Sequence, residues 1–119
     1  MKKLFYLSTC STCKQIMDDL GNEVEEFELI DIKARNIESD EIDMMVRLSG
    51  SFESLFSRRA MKFKSMGLAK QELTEEDYRN LILEEYTFLK RPVFLFENEI
   101  FIGNSKKEIE RLKTYLTSQ

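Results

Sequence analysis

The spacing of apolar residues changes character twice along the chain, and the changes outline a fold. Residues 3–8, KLFYLS, form a short apolar run rich in aromatics, as a buried strand does. Cys13, Ile16, Met17 and Leu20 then recur at helical spacing over 11–20, with Gly21 as a stop. In residues 24–32, VEEFELIDI, Phe27, Leu29 (with Ile30) and Ile32 alternate with acidic positions, which predicts a second strand and completes a βαβ unit with parallel pairing.

From Ser39 to Leu89 the period is helical throughout. Ile42, Met45, Val46 and Leu48 share one face of a helix that stops at Gly50, and short helices fit 52–56 and 59–66, the latter stopping at Gly67. A fourth helix opens on the capping box Thr74-Glu75-Glu76-Asp77 and is expected to run to about Leu89. Residues 91–103, RPVFLFENEIFIG, are two apolar runs around Glu97-Asn98-Glu99, a hairpin pattern, and Ile109, Leu112 and Leu116 line a final helix. The order βαβ, helices, ββα predicts an α/β fold: one mixed four-stranded sheet with helices packed around it. A single domain is expected, divided into a βαβ half at 1–34, a helical insert at 35–90 and a ββα half at 91–119.

Composition narrows the class. A chain of 119 residues with 42% hydrophobic and 34% charged residues can bury one compact core. No apolar run reaches the roughly 18 residues of a membrane span, and the start, MKKLFYLSTC, is too short in apolar residues for a signal peptide. The expected location is therefore the cytoplasm, with no membrane partner. A net charge of −4 disfavours direct binding to nucleic acid. Four basic residues fall within 58–64, but Met61 and Phe63 among them read as packing residues, and Met44, Met45, Phe52 and Phe56 read as the core of the insert. The acidic run 38–43, ESDEID, reads as a first helical turn that complements the helix dipole.

The chemistry concentrates in LSTCSTCK, residues 7–14, which holds the chain's two cysteines. In a reducing compartment a lone CxxC points to redox chemistry or metal binding rather than a permanent disulfide. With Cys10 in the turn before a helix, its sulfur meets unpaired backbone N–H groups and the positive end of the helix dipole, and Lys14 adds a cation. Such surroundings bring a thiol from about 8.5 down to roughly 3.5–7.5. Cys13, three residues on, lies on the same face with Cβ atoms about 5–6 Å apart. Cys10 is then the attacking thiolate and Cys13, on the apolar face, the thiol that resolves the mixed disulfide. Two buried, inert cysteines remain the plain alternative. A zinc site would need carboxylates or a second subunit, since the chain has no histidine.

Cys10-Ser-Thr-Cys13-Lys14, the helical insert, the stretch SGSFESLFSRRAMKFKSMGL at 49–68 and Arg91-Pro92-Val93 together resemble the ArsC/Spx family, which groups glutaredoxin-type arsenate reductases with the redox regulator Spx. The resemblance spans nearly the whole chain. It implies a thioredoxin-like fold with an inserted helical subdomain and a Cys10 nucleophile. It also implies an oxyanion site in which Arg59 and Arg91 match the family's arginines. A third arginine of the reductases would fall near Asn104, and the arginine common after the CxxC is Lys14, which keeps the charge without the planar two-pronged donor. Ser11, Thr12, Lys14 and Pro92 become the candidate substrate-binding residues. The X-Pro bond at Pro92 is trans by general statistics but cis by resemblance, leaving a neighbouring amide and carbonyl open to a substrate strand.

Two functions follow from the resemblance. One is a monomeric thiol oxidoreductase acting on a small oxyanion, arsenate included, or on an oxidised thiol. It would hold no bound cofactor and would draw on glutathione with glutaredoxin, or on thioredoxin, as external reductant. The other is an Spx-like regulator that uses the Cys10–Cys13 disulfide as a switch. That reading implies contact with the RNA polymerase α subunit near Gly50, in a loop about one residue shorter than in Spx.

Overall fold

The computed structural model describes residues 1–119, and its backbone divides into two compact units, Met1–Arg35 with Arg91–Gln119, and Asn36–Lys90. The first unit contains strands β1 (Lys2–Tyr6), β2 (Glu28–Asp31), β3 (Val93–Phe96) and β4 (Ile100–Ile102), with helices α1 (Ser11–Leu20) and α5 (Lys106–Thr117). The sheet order is β2-β1-β3-β4. β1 runs parallel to β2 and antiparallel to β3, and β3 and β4 form the expected antiparallel hairpin.

Alternation along these strands places Leu4, Phe94, Phe96 and Phe101 in one cluster with Ile16 and Leu20 of α1 and Leu112 and Leu116 of α5. Phe27 is buried between Phe94 and Phe96, its ring edge-on to both at centroid distances of 5.5 Å. Edge-to-face pairs of this kind contribute about 0.5–1.5 kcal/mol each beyond the area they bury.

The second strand begins later than its sequence suggests. Gly21, at φ +58°, ends α1, and residues Gly21–Glu26 wind into a 3₁₀ turn, leaving only Glu28–Asp31 extended. Nothing in the spacing of VEEFE distinguishes a turn that delivers Phe27 to the core from a strand that would. Of the alternating apolar set, Leu29 is 47% exposed on the edge strand β2, whereas Ile30, on the opposite face, and Ile32 are buried.

The second unit is helical: α2 (Ser39–Ser49), α3 (Met61–Ser65) and α4 (Glu75–Glu84), joined by 3₁₀ turns at Glu53–Leu55, Leu68–Lys70 and Tyr86–Phe88. Its core surrounds Phe56, whose ring contacts Phe63, Tyr78 and Phe88. Gly50 and Gly67 adopt left-handed backbone at the ends of their helical segments, as their placement in the sequence suggests. Thr74 and Asp77 exchange the reciprocal capping bonds, N–H of Thr74 to Oδ2 of Asp77 at 2.8 Å and N–H of Asp77 to Oγ1 of Thr74 at 3.1 Å. In the acidic first turn of α2, Glu41 does more than complement the dipole: it is buried and accepts the N–H of Glu38 at 2.8 Å.

Three expectations for this unit need correction. The fourth helix stops at Glu84, because Glu85 turns extended and its carboxylate accepts the Thr87 hydroxyl at 2.7 Å and the Lys62 ammonium at the same distance. This exit lets Leu89 form a bridge with Phe56, flanked by N–H of Ser57 to the Phe88 carbonyl at 2.7 Å and N–H of Lys90 to the Leu55 carbonyl at 2.8 Å. The helix expected over 59–66 is shorter, with Arg59 in the turn before it. Met61 is 89% exposed rather than packed, although Phe63 does contact Phe56.

At the start of this unit the amide of Asn36 donates to the carbonyls of Ile82 and Leu83, both at 3.0 Å. Those carbonyls lie in the last turn of α4, where helical partners run out.

Candidate active site

β1 delivers the chain to a tight turn in which the N–H of Cys10 donates to the Leu7 carbonyl at 2.9 Å, and α1 starts at the next residue. Cys10 is therefore the N-cap of α1, with extended backbone at φ −95° and ψ 112°. The N-cap is where a helix presents donors that have no carbonyl of their own. Both cysteines are free thiols; Cys10 is partly exposed and Cys13 fully buried.

The surroundings separate the two thiols. Partial burial works to raise the Cys10 thiol, but the N–H and thiol of Cys13, the N–H of Thr12 and the Arg91 side chain outweigh it, so Cys10 lies below its ordinary value. Cys13 is pushed up to about 11, chiefly by burial and further by the charge and hydrogen bonding of Cys10, against the Leu7 N–H and the Arg91 charge. The donors that lower Cys10 are those of a helix N-terminus plus one guanidinium.

Arg91 precedes a cis peptide bond to Pro92. The carbonyls beside this bond are occupied. That of Arg91 accepts the Asn104 amide at 3.4 Å, and that of Pro92 accepts the Gly103 N–H at 2.9 Å. The opening for a substrate strand implied by resemblance is thus partly closed from within. Asn104, which stands where a third arginine was expected, is engaged with backbone instead of being aimed at an anion as a charged donor.

Ser11, Thr12 and Lys14 are exposed in the first turn of α1. A cleft of about 280 Å³ extends from this loop, lined by Tyr6, Leu7, Ser8, Lys14, Met17 and Asp18. Lys14, Met17 and Asp18 fall at helical spacing on a common face of α1, so the cleft follows that face from the turn that precedes Cys10. The first unit thus assembles Cys10, Cys13, Thr12 and Arg91 at one point. Arg59 belongs to the second unit and is exposed there. The other basic residues of its run include two that are paired, Arg58 with Glu53 at 2.6 Å and Lys62 with Glu85 at 2.7 Å.

Sequence reasoning missed Asp31 and Ser8. Asp31, the last residue of β2, accepts the Ser8 N–H at 3.2 Å and the Lys33 N–H at 3.1 Å, both on Oδ1. An aspartate before an apolar residue in an acidic strand carries no signal of this contact. Only the parallel pairing of Tyr6 with Asp31 brings the two segments level.

Comparison with known proteins agrees with the fold and names the family. The chain is 26% identical over 113 residues to the global transcriptional regulator Spx 2 of Bacillus anthracis, covering 93% of this chain and 86% of the relative. To the global transcriptional regulator Spx of Bacillus subtilis it is 23% identical over 112 residues, at 93% and 86% coverage. Among solved structures, an ArsC family related protein from Bacteroides fragilis superposes with a TM-score of 0.78 at 21% identity, over 93% of this chain and 96% of that one. The arsenate reductase from Vibrio cholerae gives 0.70 at 12% identity, over 94% and 95%. At these identities the structures speak for the fold, which is thioredoxin-like. Residues 5–112 match the ArsC family, and the chain belongs to it.

Proposed function

We propose that the protein is a thiol oxidoreductase whose nucleophile is Cys10 and whose resolving thiol is Cys13. The observation that carries this reading is the placement of Cys10 as the partly exposed N-cap of α1 with Cys13 buried three residues on, surroundings that lower the first thiol and push the second up to about 11. The Cys10 thiolate attacks one sulfur of an oxidised substrate, forming a mixed disulfide, and the departing thiolate takes a proton from solvent. Cys10 then carries no charge, so one of the causes that hold Cys13 protonated disappears. Cys13 loses its proton, attacks the Cys10 sulfur and expels the second substrate thiol. The resulting Cys10–Cys13 disulfide accepts two electrons from an external dithiol, thioredoxin or glutaredoxin with glutathione. The cleft beside Lys14 and Met17 receives the group attached to the attacked sulfur.

Arsenate is a second substrate class for the same thiolate, held by charge-assisted bonds from Arg91. The test is NADPH consumption in a system coupled through thioredoxin or glutaredoxin, with a small disulfide or arsenate as acceptor, comparing the wild type with Cys10→Ser. Turnover of the disulfide that Cys10→Ser abolishes is the expected result. No Cys10-dependent turnover with either acceptor and either reductant rejects the reading.

A regulator of the Spx kind is the second reading, favoured by the names of the curated relatives, which match over more than nine tenths of this chain. In that case the Cys10–Cys13 disulfide switches binding to the RNA polymerase α subunit. A pull-down with the α C-terminal domain in oxidised and reduced buffers separates the two, since the enzyme requires no such binding.

A further inference from the structure

We propose that Asp31 is a positioning residue for Cys10, holding the turn Leu7–Cys10 so that the thiolate sits against the N-terminal N–H groups of α1. The inference rests on Cys10 being the reactive thiolate and adds a residue outside the CxxC loop. Three observations support it. First, the turn is closed internally by a single backbone bond, Cys10 N–H to the Leu7 carbonyl at 2.9 Å, and its second residue, Ser8, is exposed. Second, Ser8 is tied from outside the turn by Asp31: its N–H donates to Oδ1 at 3.2 Å, and its side chain helps hold the carboxyl below its ordinary value. Third, the carboxylate is itself anchored, because Oδ1 also accepts the Lys33 N–H at 3.1 Å and the adjoining backbone is stitched to β1 by the Ile32 N–H to the Tyr6 carbonyl at 2.9 Å. The end of β2 therefore fixes the segment two residues ahead of the nucleophile.

Charge and position make opposite demands, and this separates positioning from a field effect. A carboxylate in the neighbourhood of a thiolate repels it, so removing only the charge of Asp31 leaves the Cys10 titration unchanged or moves it down. Releasing the turn takes the sulfur off the N–H groups of Thr12 and Cys13 and moves its titration up. The other groups acting on the Cys10 sulfur are the Cys13 thiol from α1 and Arg91 from the segment before β3. None of them bonds Asp31, which answers to Ser8 and Lys33.

The experiment follows the rate of Cys10 alkylation by iodoacetamide against pH in a Cys13→Ala background, where one thiol reports. Asp31→Ala is expected to raise the midpoint by about one unit, a roughly tenfold change in the thiol's acid dissociation constant. Asp31→Asn, which keeps an acceptor oxygen for the Ser8 and Lys33 N–H groups, is expected to restore the parental midpoint. An unchanged midpoint in Asp31→Ala, even with a lower melting temperature, overturns the proposal, as does a downward shift in both variants. If Asp31→Ala does not fold, Ser8→Ala, which removes only the hydroxyl that helps hold the carboxylate, still decides it: a smaller upward shift supports the role and none overturns it. A midpoint at or above about 8.5 in the wild type, where the Cys13 thiol still donates to Cys10, instead overturns the thiolate reading beneath it.

Discussion

The two units solve their packing problem alike and use their polar groups differently. Each builds its core from interlocked aromatic rings, Phe27 with Phe94 and Phe96 in the sheet unit, Phe56 with Phe63, Tyr78 and Phe88 in the helical one. In the helical unit, ionic groups close on one another: Arg58 with Glu53 and Tyr78, Arg79 with Asp43, and Lys62 with Glu85. Glu75 takes up the N–H groups of Phe52 and Glu53 at 2.6 and 3.2 Å, so the donors at the start of that 3₁₀ turn are satisfied as well. In the sheet unit Arg111 pairs with Glu99 and Glu108 in the same way and Ser105 caps α5, but the donors at the start of α1 meet a thiol. What sets the two units apart is therefore an ionisable sulfur placed on helix donors, and not how tightly a unit is packed.

The contrast breaks most completely at Cys10. Cys10→Ser removes all thiol-dependent turnover and alkylation at low pH while leaving the unfolding transition nearly in place, as measured by coupled assay and denaturant titration. Next in size is the aromatic core of the other unit: Phe56→Ala, at a fully buried position, costs about 3–5 kcal/mol in a urea titration. A third test uses pH. Cys13 binds its proton more tightly folded than unfolded, so its contribution to stability is complete below about 9 and is lost as pH rises through about 11. Stability should fall by roughly 1–3 kcal/mol across that window, and the fall should be shallower in Cys13→Ala. The smallest effect expected is Thr74→Ala, which removes one side of the α4 capping box and costs about 1 kcal/mol without altering alkylation of Cys10.

Much of this was written locally in the chain. The order of elements, the capping box at Thr74, the stops at Gly50 and Gly67 and the position of Cys10 ahead of a helix each depend on a few adjacent residues. What escaped depends on partners distant in sequence. Leu29 and Ile30 are equally apolar but face opposite sides of the edge strand β2, and only partners distant in sequence decide which of them is covered. The helical period of α4 continues into Tyr86–Phe88, yet the bridge between Phe56 and Leu89 draws the chain out of the helix. Met61 fits the apolar pattern of its segment and lies in solvent. At the site, the CxxC spacing names the thiols, but Asp31 reaches Ser8 across 23 positions, and no local pattern encodes that.

Asn36 gives the helical excursion a property beyond its own bond count. The segment from Asn36 to Lys90 leaves the sheet unit and returns to it, and confining its ends costs roughly 3–4 kcal/mol of loop-closure entropy for a chain of that length. Two part-buried amide-to-carbonyl bonds from Asn36 to Ile82 and Leu83, each worth about 1 kcal/mol, offset a good share of that cost where the excursion begins. The excursion thus carries its own latch. A segment that fastens itself at its first residue leaves the host strands less of the work of holding its ends together.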